Sequence, residues 1–175
     1  MGTIWVSCFI RQKLKEFSGC GQSLRVVSLQ PDIGYPWHAI GFSSSGRILV
    51  CHGGVGADGR RVVAVGMDGR GSTVFGLAKS ATQTAATGLV CGGGQSNSPI
   101  HAAVDADNFV MVVDCENRTL ALLDNELSFV RNLVSGSEAS GLGLKDPRRV
   151  CLDADNDRLY IGDGNGSVTV LQLNS

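Results

Sequence analysis

One phrase recurs along this chain. It reads Pro99-Ile100-His101-Ala102-Ala103-Val104-Asp105-Ala106-Asp107-Asn108, with an apolar run at 109–114 behind it. It returns as Pro147-Arg148-Arg149-Val150-Cys151-Leu152-Asp153-Ala154-Asp155-Asn156, followed by a run at 158–163. A looser copy opens at Pro36-Trp37-His38-Ala39-Ile40-Gly41-Phe42 and continues over 46–51. The prolines at 36, 99 and 147 are 63 and 48 residues apart. A repeat of roughly 40–50 residues made of short strands points to a β-propeller, because one small sheet cannot bury both of its faces alone and must stack on the next copy. The 175 residues have room for about four such units.

The strands can be counted unit by unit. Short apolar runs at 101–105, 109–114, 119–124 and 129–134 are separated by Asp107-Asn108, Glu116-Asn117 and Asp124-Asn125, residues that form tight turns. They predict four antiparallel strands, a to d from the channel outwards. A second set falls at 38–42, 47–51, 61–67 and 72–75. The N-terminal segment offers three, at 3–9, 13–17 and 24–29, read as b, c and d. The C-terminal segment offers 149–153, 158–162 and 167–173, read as a, b and c. The expectation is an all-β chain, either one propeller domain over 1–175 or the C-terminal part of a larger, six-bladed one. Its parts are an incomplete blade 1–35, a blade 36–76 with a long loop 77–98, a blade 99–146 and an incomplete blade 147–175. The loop is rich in Gly, Ser, Thr and Ala around a Leu89-Val90-Cys91 island. Ile40, Val104 and Leu152 should pack between blades. Helix should be nearly absent, since no stretch combines an apolar 3.6 period with caps. Open blade edges would favour self-association.

Composition narrows the function classes. The 24 glycines suit many turns, and a net charge of −1 gives no global field to attract nucleic acid. No apolar run approaches the roughly 18 residues of a membrane span, so no membrane role is expected. The start, Met1-Gly2-Thr3-Ile4-Trp5-Val6, has neither the basic and apolar regions of a signal peptide nor a myristoylation pattern. The six cysteines contain no C-x-x-C pair. Cys8, Cys51 and Cys151 lie in apolar runs, where Cys behaves as a small hydrophobe. Reduced thiols and a cytoplasmic location are the expectation.

The positions after each proline are the candidate chemistry. Trp37-His38, Ile100-His101 and Arg148-Arg149 enter equivalent inner strands, so Trp37, His38, His101, Arg148 and Arg149 should ring one mouth of the channel. Two imidazoles without a third ligand do not make a metal site, and no cofactor is expected. No G-x-S-x-G elbow, P-loop or H-E-x-x-H occurs, and no catalytic residue can be named. Asp114 and Asp163 read as turn-holding carboxylates. The Asp-Ala-Asp segments at 105–107 and 153–155 lack the full calcium-loop frame. His52, in a Gly-rich stretch, should be exposed.

The unit pattern resembles NHL repeats. Val113-Asp114-Cys115-Glu116-Asn117-Arg118 is similar to the family's turn between strands b and c, and Gly162-Asp163-Gly164-Asn165-Gly166-Ser167 is a shortened version. Gly94-Gln95-Ser96-Asn97-Ser98-Pro99 and Gly143-Leu144-Lys145-Asp146-Pro147 resemble its Gly-rich lead-in, with Ser96 departing from an apolar position. The likeness covers about 36–173, and Cys51-His52-Gly53-Gly54 departs from it. It implies a module that binds protein or single-stranded RNA, of the kind that ends tripartite-motif ubiquitin ligases. The alternative is a metal-dependent propeller enzyme, lyase or lactonase. In the related peptide-amidating lyases a zinc-binding His directly follows the proline, whereas His38 and His101 stand one residue later.

Overall fold

The computed structural model describes residues 3–42, 46–53, 60–75 and 99–173. The expected 77–98 loop and the lead-in at 94–98 lie outside these residues. Four antiparallel sheets follow one another in chain order, each a simple meander. The first holds β1 (Thr3–Cys8), β2 (Lys13–Ser18) and β3 (Ser23–Ser28). The second holds β4 (His38–Phe42), β5 (Arg47–His52), β6 (Arg61–Val65) and β7 (Gly71–Phe75). The third holds β8 (Pro99–Val104), β9 (Val110–Asp114), β10 (Thr119–Leu123) and β11 (Phe129–Val134). After a short helix, α1 (Gly136–Gly141), the fourth holds β12 (Pro147–Asp153), β13 (Arg158–Asp163) and β14 (Val168–Gln172). Strand β1 packs on β4, β4 on β8 and β8 on β12. These are consecutive blades of a β-propeller.

The blades hold together through three apolar layers. Leu14, Val27 and Ile33 pack on Ile48, Val50, Val63 and Val65 between the first two sheets. Phe42, Leu49, Val62 and Phe75 meet Ala102, Val110, Val112 and Leu123 between the second and third. Met111, Val113 and Leu120 meet Val150, Leu159 and Ile161 between the third and fourth. Ile40 and Val104 pack against the middle layer and Leu152 against the last, each partly buried. Strands β5 and β6 are buried on both faces, because a neighbouring blade covers each side. At the two ends only one face is covered. Ile4 is 54% exposed and Val26 52% on the first sheet, and Val168 is 62% exposed and Val170 51% on the fourth.

Short acidic turns space the strands. Asp105 accepts the backbone N–H groups of Asp107 and Phe109, and Asp124 those of Glu126 and Ser128. Each carboxylate replaces bonds that the ladder loses at its end.

Helix is nearly absent among the described residues, as expected, and two local readings are corrected. The one short α-helix, α1, has its own local cause. Its start carries a capping box, with Ser135 Oγ accepting from Glu138 N–H and the Glu138 carboxylate accepting from Ser135 N–H. The Ser-x-x-Glu signal was therefore present, and the helix docks through one buried residue, Ala139. His52 is not in an exposed turn. It ends β5, pairs with Arg61 and is 4% exposed. Cys151 is exposed rather than a core residue, because it lies on the uncovered side of the fourth sheet, whereas Cys51 is buried. Among the described residues no helix is long and apolar enough to cross a membrane.

Candidate functional site

The repeated proline sets up the site by a shift in register. Pro99 pairs with Asp114 and His101 with Val113, so Ile100 is skipped. Likewise Pro147 pairs with Asp163 and Arg149 with Gly162, so Arg148 is skipped. Both are β-bulges, which turn one side chain out of the pleat and re-aim its neighbour. Trp37 stands in the corresponding place of the second sheet, one residue before His38, its N–H bonded to Cys51 O at 3.0 Å. The five residues singled out by the sequence are therefore brought together, but in two layers.

The outer layer is a cleft of about 260 Å³ lined by Trp37, Ile100, Arg148 and Arg149 together with Arg60, Cys115 and Asp146. The Arg60 guanidinium lies 5.0 Å from the centre of the Trp37 ring and donates to Cys115 Sγ at 3.0 Å. Phe9 stacks on the same indole at 6.2 Å, with 24° between the ring planes. Arg148 reaches one Asp146 oxygen with both Nε and a terminal nitrogen, each at 2.7 Å. Arg149 donates to the carbonyl of Arg148 at 2.9 Å. Three guanidiniums and one carboxylate leave the cleft electropositive. Among the described residues, Trp37 Nε1 and Arg60 Nε are buried donors without an acceptor.

The inner layer is a histidine pair among the first strands of three sheets, β4, β8 and β12. The rings of His38 and His101 stack with centres 3.6 Å apart and 24° between planes. His38 Nε2 donates to Ala102 O on β8 at 2.8 Å, and His101 Nδ1 accepts from Val150 N–H on β12 at 3.4 Å. The pair thus links three successive blades. Burial pushes His101 down to about 3, with His38 and Arg149 adding repulsion. Burial also lowers His38, helped by Arg149 and opposed by the Ala102 carbonyl. Both rings are neutral near pH 7. Among the described residues no three His, Cys, Asp or Glu side chains gather as a metal site.

The turn carboxylates support the cleft. Asp114 accepts from Asn117 N–H at 3.0 Å and from its side-chain amide at 2.8 Å. Asp163 accepts from Lys145 N–H at 2.7 Å, Asp146 N–H at 2.9 Å and Asn165 N–H at 3.1 Å. Burial raises the Asp163 carboxyl, but these N–H groups outweigh it and hold it below the ordinary value. The bonds pin the backbone of Asp146, and Gly164 N–H donates to Asp146 O at 2.8 Å.

Sequence reasoning missed Arg60, Cys115 and Asp146 as cleft residues. Asp146 and Cys115 had a usable signal. One directly precedes the repeat's proline, and the other directly follows the Asp114 that pairs with Pro99. Arg60 had none, because it comes over Trp37 only through the folding of its own sheet, where Trp37 and Arg61 both flank the end of β5.

Comparison with known proteins fixes the fold and stops there. No family model and no curated protein matches this chain. Among solved structures, it is similar to virginiamycin B lyase from Staphylococcus aureus, at 14% identity over 99% of this chain and 53% of that one, with a TM-score of 0.55. A protein of unknown function from Bacteroides caccae matches at 12% identity over 94% and 52%, with a TM-score of 0.53. A streptogramin B lyase matches at 14% over 98% and 51%, with a TM-score of 0.51. The chain spans about half the length of these structures. At such identities the likeness carries the β-propeller fold alone.

Proposed function

We propose that this chain is an NHL-type propeller module that binds a protein segment at the channel mouth. The observation that carries this reading is the cleft itself. A half-buried tryptophan, three arginines and two buried donors without described acceptors meet where three inner strands begin. Aromatic and arginine side chains in a partly desolvated pocket are the usual anchors of protein interfaces. Single-stranded RNA is the weaker reading. A base needs an open aromatic face to stack on, and the Trp37 ring already carries Phe9 and Arg60.

The test is selection of random displayed peptides on the purified chain. The recovered peptides should bind the wild type and lose at least about tenfold, the scale of one hot-spot residue, on the combined Trp37→Ala, Arg148→Ala, Arg149→Ala variant. Equal binding by that variant would remove this face. Tight binding of oligouridylate whose salt slope falls by about one on Arg148→Ala would replace protein with RNA. Stoichiometric zinc in the purified protein would overturn the reading in favour of a metal-dependent lyase or lactonase.

A further inference from the structure

We propose that Asp146 is an internal stand-in for a carboxylate of the partner, and that the mouth cleft recognises an acidic side chain which takes Arg148 over from it. This rests on the protein-binding reading above and deepens it. Arg148 is 61% exposed at the cleft, yet both nitrogens it directs at Asp146 meet a single oxygen. That geometry leaves the pair short of a full two-oxygen fork, the arrangement in which arginine and carboxylate match best. A surface pair of this kind is weak enough to exchange.

The two partners are not equally movable. The backbone of Asp146 is fixed by three bonds, two through Asp163 and Gly164 and one from Lys145 to the same Asp163 oxygen. Arg148 is skipped in the ladder between Pro147 and Arg149, and its guanidinium, on a long exposed side chain, is the movable partner. An incoming carboxylate would meet Arg149 and Arg60 as well, and with Asp146 displaced all three guanidiniums lining the cleft become available to it. Asp146 would then do two jobs. It keeps Arg148 poised over the cleft, and it sets a threshold that neutral or weakly acidic segments do not pass.

Gly164 is part of the same device. A methyl group there would run into the Asp146 carboxylate and the Arg148 Nε. Only a glycine lets the ion pair fold back over the turn between β13 and β14.

The experiment uses two acetylated peptides, Gly-Glu-Phe-Glu-Gly and its Gln counterpart, titrated calorimetrically into the purified chain. The Glu peptide should bind and the Gln peptide should bind at least about fivefold more weakly, the size of one partly exposed charge pair. Asp146→Asn, which keeps the shape and removes the charge, should tighten the Glu peptide by about fivefold and leave the Gln peptide unchanged. Arg148→Ala should weaken the Glu peptide by a similar factor. Gly164→Ala, which drives the pair apart with both charges kept, gives a second route to the same gain and covers a failure of Asp146→Asn to fold. Wild-type affinity in both Asp146→Asn and Gly164→Ala would overturn the proposal, as would equal binding of the two peptides. If displayed peptides still lose binding on the triple alanine variant, the mouth remains the protein site and only its acidic preference falls. If oligouridylate, and not the Glu peptide, gains from Asp146→Asn, the proposal is overturned in favour of RNA.

Discussion

Replacing Gly69 by alanine is expected to cost about 3 kcal/mol or more, a large share of the roughly 5–15 kcal/mol that holds a domain folded. Gly69 lies in the turn between β6 and β7 at φ +82°, a region costly for any residue with a Cβ. The added methyl would also land on the carbonyl oxygen of Ser28, at the end of β3. That oxygen belongs to backbone and has no rotamer to escape into. The same turn accepts the N–H of Gln30 at 3.1 Å, and the Gln30 side chain accepts the N–H of Gly71 at 3.0 Å. The clash would therefore part the first blade from the second. Gly21 supplies the control, at φ +85° with open space around its Cβ position. Gly21→Ala should cost only about 1 kcal/mol, the backbone conformation alone. Urea denaturation followed by circular dichroism measures both, and equal losses would show that the interblade contact is slack.

Acid is the second large lever. The chain has three histidines, and the structure holds all three below their ordinary value: His38, His52 to about 4 and His101 to about 3. For His52 burial comes first, Arg61 adds to it, and Asp32 and the Gly34 carbonyl pull the other way. A histidine depressed in the folded state takes up its proton more readily when unfolded, so its contribution is complete above about pH 6.5 and drains away as the pH falls towards the folded value. Between about pH 6.5 and 5 ordinary carboxylates are still ionised, and the histidines alone should set the slope. Each excluded proton contributes at most about 1.4 kcal/mol per pH unit. The melting temperature should therefore be flat between about pH 7 and 8 and fall steadily below pH 6. It should fall again at higher pH, where the buried Cys51, pushed up to about 12, stays protonated while an unfolded thiol ionises. His101→Gln should flatten that fall while lowering stability at pH 8, since it removes the ring stacked on His38. An unchanged slope in this variant would show that the pair is open to water and charges freely.

Most of the fold was legible because strands report themselves locally. Thr119–Leu123 and Phe129–Val134 are short apolar runs bounded by Asp and Asn, and the repeat of Pro99 at Pro147 supplied the register. That Trp37, Arg148 and Arg149 line one cleft beside the His38–His101 stack follows from the same pattern, since equivalent prolines feed equivalent strands. What failed was long-range. His52 was misplaced because Gly53 beside it reads as a turn, while the partner that buries it, Arg61, lies across a break in the pattern. The burial of Cys51 and the exposure of Cys151 differ because one sheet has neighbours on both sides and the other has a neighbour on one. Nothing in either local sequence distinguishes them. Helix α1 is the one short α-helical exception to the near-absence of helix among the described residues. Four of its six residues are Gly or Ser, weak helix formers, and it exists through its cap and its single buried alanine.

The bulge behind Pro99 and behind Pro147 frees one side chain from the ladder for the cleft. Residues that pair across the ladder are tied to their partners, but the skipped residue answers to no neighbouring strand. Two successive blades put isoleucine and arginine there, while their counterpart Trp37 is tied to β5 through Cys51 O. Trp37 and Ile100 also lean on the apolar layers between blades, so their side chains serve the packing as well as the cleft. Of the three, Arg148 alone is mostly exposed, and a substitution there leaves the layers between the blades untouched.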